Sequence, residues 1–563
     1  YKVVDEKDAV DPRHNTIVEV FKYMRTTLTS LTARKVKEYD FPDIQQVVKN
    51  DGFMKALWSY APTEEVVRFV TEKSAEKHYD VFVSLLRTLV LSRYFNTRMA
   101  LTIVTTRSED DAFDMFEALN TTGEPLTAFE TFKPKVIEAE ELLKYEGSES
   151  HLGVQRVEKY LETFKKADDR QKATSELLIP FALAETGEKL QKNLSDQRRY
   201  LREYFDKLPT IVEKRGVVTS LANLAAFMQS GWTSGDDSIQ LEGFGKFDEE
   251  TGFCFQALRA LKHTVVIGAL SRFYDEFRQS DDGRKAERKA ELIEAIKAAT
   301  AFSMLWRGGQ GGTENIDSIY RNIMREGRET DSILPLAKRT KDKVGAVSLS
   351  GFKRILRENL HAVFADRDAW IKAASRMPIY KHSVQVAKFL IIVASDDAAL
   401  DPNDPPLIIR GTKGLAPTLK EEAWGANIHF SVEHIAPQAA NSPGWAAEIY
   451  EDVQTVDRLG NLTLLPTAEN SYLGNKPWNQ KHLIYRYLSA ETPIDAQAIY
   501  AQFPTAGLTL SAIAKEILAG TSYMPMCKAL SGPTLSWDVS LIDKRSVRIA
   551  ELAYDRISPW LFG

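Results

Sequence analysis

The stretch Asp401–Pro406 (DPNDPP) divides this chain into two kinds of sequence. Its three prolines cannot sit inside a helix, because each lacks an N–H and crowds the preceding turn. Before it, apolar residues recur at helical spacing over most of the length. After it, short runs alternate as strands do. The fold class expected is therefore α+β, predominantly helical, with a small mixed segment after the break.

The helical part has several clear runs. Ile17, Val20, Phe21, Met24 and Leu28 fall on one stripe, and Leu85, Leu86 and Leu89 on another. Val154–Phe164, Leu190–Leu208, Arg284–Ala301 and Asp317–Arg325 also read as amphipathic helices. Met99–Thr105 (MALTIVT) is short, apolar and β-branched, which suits a buried strand. A helix is expected from Ser108, ending in a turn at Asn120–Gly123. Gly308–Gly312 (GGQGG) is read as a flexible loop; it is not a phosphate-binding loop, since no Lys-Ser/Thr follows.

Composition narrows the function classes. With 563 residues, several domains are expected. Two cysteines, Cys254 and Cys527, exclude a disulfide scaffold and a cysteine-based zinc site, and suit a reducing cytoplasm. The longest apolar run, Val386–Ala394, is far short of the ~20 residues that span a bilayer, so no membrane partner is expected. The first residues do not read as a signal peptide, and a chain opening on Tyr1 rather than Met points to sequence upstream. The net charge of −5 argues against a strongly basic nucleic-acid-binding domain. Local basic runs occur at Arg198–Arg202, Arg284–Lys289 and Lys338–Lys343. Their interleaved acids read as solvated helix faces.

After the break, Ile428–Ile435 and Leu462–Leu465 read as strands and Asn475–Leu488 as a helix. Chemistry concentrates here. In Ser431–Gln438 (SVEHIAPQ), Glu433 and His434 are adjacent at a strand end. In Leu459–Pro466 (LGNLTLLP), Asn461 stands at the turn into the second strand, and Asn470 opens the next helix. Phosphodiester hydrolysis needs a base for the attacking water and a cation for the charge developing on phosphate. Neutral imidazole suits the first task and side-chain oxygens the second. His434 is thus the candidate general base. Glu433 and an asparagine are candidate metal ligands, with a further asparagine to orient the loop. Trp478 reads as a core anchor, Lys481 and His482 as helix surface.

These motifs resemble the HNH, or ββα-metal, nucleases. More specifically, HIAPQ, LGNLTLLP and Asn470–Lys481 (NSYLGNKPWNQK) resemble the C-terminal nuclease domain of GmrSD- and SspE-type restriction proteins. Ala112–Lys133 resembles part of that family's ParB-like N-terminal domain, and Trp537–Trp560 its closing helix. The resemblance implies His434 as base, Glu433 and Asn470 on a Mg²⁺ or Mn²⁺ ion, and Asn461 holding the loop, with Asn470 and Asn461 counted as catalytic. It also implies Asn120, Gly123 and Lys133 at a cofactor pocket. Its domain plan is a ParB-like remnant at 1–140, a helical connector at 141–405, a ββα-metal (HNH) nuclease domain at 406–500 and a helical tail at 501–563.

The implied function is metal-dependent cleavage or nicking of double-stranded DNA, foreign or modified, in anti-phage restriction. A non-catalytic sensor that only binds DNA or nucleotide is the alternative. NTP use belongs to the family, but its Asp-Gly-Gln-Gln-Arg motif is absent: Asp43–Val47 (DIQQV) lacks the Gly and the Arg. Self-association, including a homo-oligomer, is left open.

Overall fold

Helix caps written in the sequence set where many elements begin. Thr127 opens the helix Ala128–Glu140 with a capping box. Its hydroxyl accepts from the Glu130 N–H, and the Glu130 carboxylate accepts from the Thr127 N–H. Thr210 and Glu213 do the same for Ile211–Phe227. The result, in a computed structural model, is a predominantly helical protein. It describes residues 12–32, 43–100, 126–235, 238–328, 331–425, 431–440, 442–465, 467–509, 512, 525–532 and 536–563. The expected strand at Met99–Thr105, the helix from Ser108, and the sites Asn120 and Gly123 lie almost wholly outside those residues.

The chain forms two compact units, residues 1–119 and 120–563. Among the described residues of the first, five helices run from Pro12–Thr32 to Tyr79–Arg98. A small core gathers Val48, Leu57, Val70, Val83 and Val90. The apolar stripe of Pro12–Thr32 forms as helix, yet Val20, Phe21, Met24 and Leu28 stay exposed.

The second unit is built around Lys285–Gln310, which is apolar on every side along its C-terminal half and buried accordingly. Glu249–Ala260, Val265–Gln279, Leu349–Val363, Arg367–Arg376, Val384–Ser395 and Val539–Phe562 pack around it. The glycine run is not the loop expected. Gly308 and Gly309 lie inside this helix, and Gly311, at φ +73°, caps it through an N–H to the Arg307 carbonyl. Packing overrides the local breaker signal: a Cβ on Gly309 would stand 2.3 Å from the Phe364 ring.

Asp401–Pro406 is the connection of a hairpin, Ala398–Leu400 paired with Ile408–Arg410. The boundaries expected at 405/406 and 500/501 therefore fall within the second unit. The basic runs pair with acids: Arg199 with Asp196 and Arg288 with Glu291 one turn away, and Arg339 with Glu213 of the helix Ile211–Phe227. No described helix is long and apolar enough to cross a membrane.

Candidate active site around His434

Two strands frame the site. Ser431–His434 pairs antiparallel with Leu462–Leu465, setting Val432 opposite Leu464 and His434 opposite Leu462. Side chains alternate between faces along each strand. Val432, Leu462 and Leu464 enter the large helical core, while Leu465 joins a second cluster with Ile435, Tyr485 and Trp537. His434 shares the Val432 face, and Glu433 faces the second cluster.

Asn461 fixes the chain that leaves His434. It is fully buried, and its amide is saturated. Its oxygen accepts from the Ala436 N–H at 2.8 Å and from the Trp537 indole at 3.0 Å. Its nitrogen donates to the Ala436 and Val456 carbonyls, each at 2.8 Å. The loop is held from outside as well. Arg545 Nε donates to the Gly460 carbonyl at 2.9 Å, and the Gly460 N–H donates to Ser546 Oγ at 2.8 Å. A Cβ on Gly460 would stand 1.9 Å from the Ile542 carbonyl oxygen, so glycine is what lets the helix Val539–Phe562 approach.

On its own face, His434 meets a residue that the sequence reading missed. His434 Nε2 lies 2.9 Å from Asp457 Oδ1, and the Gln438 amide donates to the same oxygen at 2.9 Å. Burial alone would raise the Asp457 carboxyl. The bonds from His434 and Gln438, helped by the Lys381 charge, outweigh it and hold the group below its usual range. The Tyr380 ring packs edge-on to the imidazole, centroids 4.2 Å apart. Tyr380 and Lys381 come from a single helical turn, Ile379–His382.

The opposite face holds a buried ion pair. Lys481, expected on a helix surface, is fully buried. Its ammonium donates to Glu433 Oε1 at 2.5 Å and to the His434 carbonyl at 2.7 Å. Burial pushes the Glu433 carboxyl up to about 7 against the pull of Lys481, and burial likewise lowers Lys481. His482 is not a surface residue either. It is half-buried, bonded through Nε2 to the Gly532 carbonyl and packed on Trp478. Trp478 itself packs among Trp445, Tyr485 and Trp537.

The remaining expected positions fall elsewhere. Asn470 lies within the helix Thr467–Leu473 rather than at its start, and donates to Ser431 Oγ and the Val432 carbonyl, both at 3.0 Å. The next helix begins at Trp478, not Asn475. Lys133 pairs with Glu158 at 2.6 Å. Of the two oxygen donors expected beside His434, the Glu433 carboxylate accepts from Lys481, and Asn470 is tied through its amide nitrogen to the start of the strand. Among the described residues no group of three or more His, Cys, Asp or Glu side chains could hold a metal ion. Glu433, on the opposite face of the strand and bonded to Lys481, does not fit a cation shared with the His434 ring.

Asp457 and Lys481 left no local signal, since each meets its partner across more than twenty residues. A search for a carboxylate to orient the histidine would have had Asp457 among its candidates, two residues before the LGN turn.

Residues 379–552 match the family model described as GmrSD restriction endonucleases, C-terminal domain. The matched span starts at the turn that carries Tyr380 and ends within the helix that carries Arg545. It takes in His434, Asp457, Asn461 and Lys481. This stretch is thus similar to the C-terminal domain of GmrSD restriction endonucleases. No protein of curated function matches the chain.

Proposed function

We propose that residues 379–552 hydrolyse phosphodiester bonds in double-stranded DNA, with His434 taking the proton from the attacking water. The observation that carries this reading is coincidence. The matched span encloses both the hairpin that presents His434 and the elements that immobilise it. Imidazole is the side chain best suited to act as a base near neutral pH. Its position is held from three directions: Asp457 at Nε2, Tyr380 against the ring, and Lys481 on the His434 carbonyl.

Asn461 serves this reading by holding Ala436, two residues beyond the base. The biological role would be restriction of foreign or modified DNA. HNH nucleases use a divalent cation, Mg²⁺ or Mn²⁺. Glu433, the carboxylate nearest in sequence to the base, is taken up by Lys481 rather than turned to the His434 ring.

Supercoiled plasmid incubated with the full chain and Mg²⁺ tests the proposal. Conversion to open-circle or linear DNA, absent in His434→Ala, supports it. Plasmid that stays intact while the chain retards it on a gel supports a DNA-binding sensor instead. Cleavage of RNA but not plasmid would transfer the site to a ribonuclease.

A further inference from the structure

One oxygen of the Asp457 carboxylate lies 2.9 Å from His434 Nε2 and accepts from the Gln438 amide at 2.9 Å. An ionised carboxylate only accepts hydrogen bonds. The hydrogen between His434 and Asp457 therefore sits on Nε2. A neutral imidazole carries one N–H, so Nδ1 keeps its lone pair. The ring is also hindered from turning over. Its Nε2 is anchored, and the Tyr380 ring stands edge-on at 4.2 Å. Both side chains are about nine-tenths buried, at 11% and 9% exposure, which limits competition from water for this bond.

We propose that Asp457 is a positioning residue for His434, fixing the Nε2–H tautomer and leaving Nδ1 as the atom that takes the proton. This rests on the nuclease reading above. In the step itself, the proton passes from water to Nδ1 while the water oxygen bonds to phosphorus. The bond from phosphorus to the ester oxygen breaks, its electron pair staying on the leaving oxygen. The imidazolium so formed lies against the Asp457 carboxylate, which favours it. Gln438 holds that carboxylate from the loop just beyond the histidine, so base, orienting acid and amide share one short connection.

The test uses the full chain labelled with ¹⁵N-histidine. Two-bond ¹H–¹⁵N correlations report the tautomer, and the His434 signal among the nine histidines is the one lost in His434→Ala. The wild type is expected to show Nε2–H. Asp457→Asn can donate to Nε2 and so favours the other tautomer. It should cut the nicking kcat by about 100-fold or more with little change in KM. Asp457→Glu should recover part of that rate. Thermal unfolding of each variant checks that the fold persists. An Nδ1–H tautomer in the wild type, or nicking by Asp457→Asn within a few-fold of wild type, would overturn this inference alone. A wild-type chain that nicks no DNA overturns the nuclease reading and this inference with it.

Discussion

Asn461 is a side chain whose four hydrogen bonds all go to buried groups: two to Ala436, one to Val456 and one to Trp537. Removing the amide leaves each partner buried and unpaired, at about 1–3 kcal/mol apiece before relaxation. Asn461→Ala should therefore lose about 3 kcal/mol or more, read as a lower urea midpoint with an unchanged slope. Glu433 and Asn470 carry a different prediction. The Glu433 carboxylate is held by Lys481 on the face away from the His434 ring, and Asn470 is tied by its nitrogen to the strand, so the Mg²⁺ midpoint for nicking should be unchanged in Glu433→Gln and Asn470→Ala. A rise of about tenfold would return them to the role of ligands.

At the scale of elements, the Glu433–Lys481 pair ties the hairpin to the helix Trp478–Leu488. Breaking a buried pair costs more than replacing it whole. Lys481→Met should lose about 3–5 kcal/mol, and Glu433→Leu with Lys481→Met together much less. Burial of the Glu433 carboxyl also sets a pH dependence. The Glu433 carboxyl moves from a usual value of 4.5 up to about 7 in the fold. An acid with a raised folded value contributes its stability fully below the unfolded value and loses it as pH climbs through the folded one. Stability should thus decline between about pH 4.5 and 7 from this group, and Glu433→Gln should flatten that decline in urea melts across the range. Gly460 marks the tightest join between elements. Gly460→Ala drives a methyl into the Ile542 carbonyl, a backbone atom that cannot swing aside. Loss of about 2 kcal/mol or more, with slower nicking, is expected.

Across the whole molecule, the helix Val539–Phe562 serves two structures at once. Its first half, through Arg545 and Ser546, holds the loop of Asn461. Its second half closes the helical core, where Arg556 pairs with Glu250 and Asp396 and Trp560 donates to Glu250. That dual role explains why the expected tail at 501–563 is not a separate piece. It also shows what local sequence could convey. The helices Ile316–Arg325 and Trp478–Leu488, and the strand Leu462–Leu465, follow from periodicity and turn residues, which act over a few positions. His434 and Asn461 stood out because motif and strand end coincide. Asp457, Lys481 and the glycines of Gly308–Gly311 did not, because their roles come from partners that only folding brings near. Removing residues 537–563 should abolish both the cooperative unfolding of the second unit and any nicking. A truncated chain that still melts cooperatively and cuts DNA would detach this helix from the site.

The central claim is that the His434 ring performs the chemistry. Its most direct measure is the initial rate at which supercoiled plasmid becomes open-circle DNA, for wild type and His434→Ala at equal folded fraction. The account predicts a fall of at least about 100-fold on removing the imidazole. Equal rates in the two proteins would contradict it.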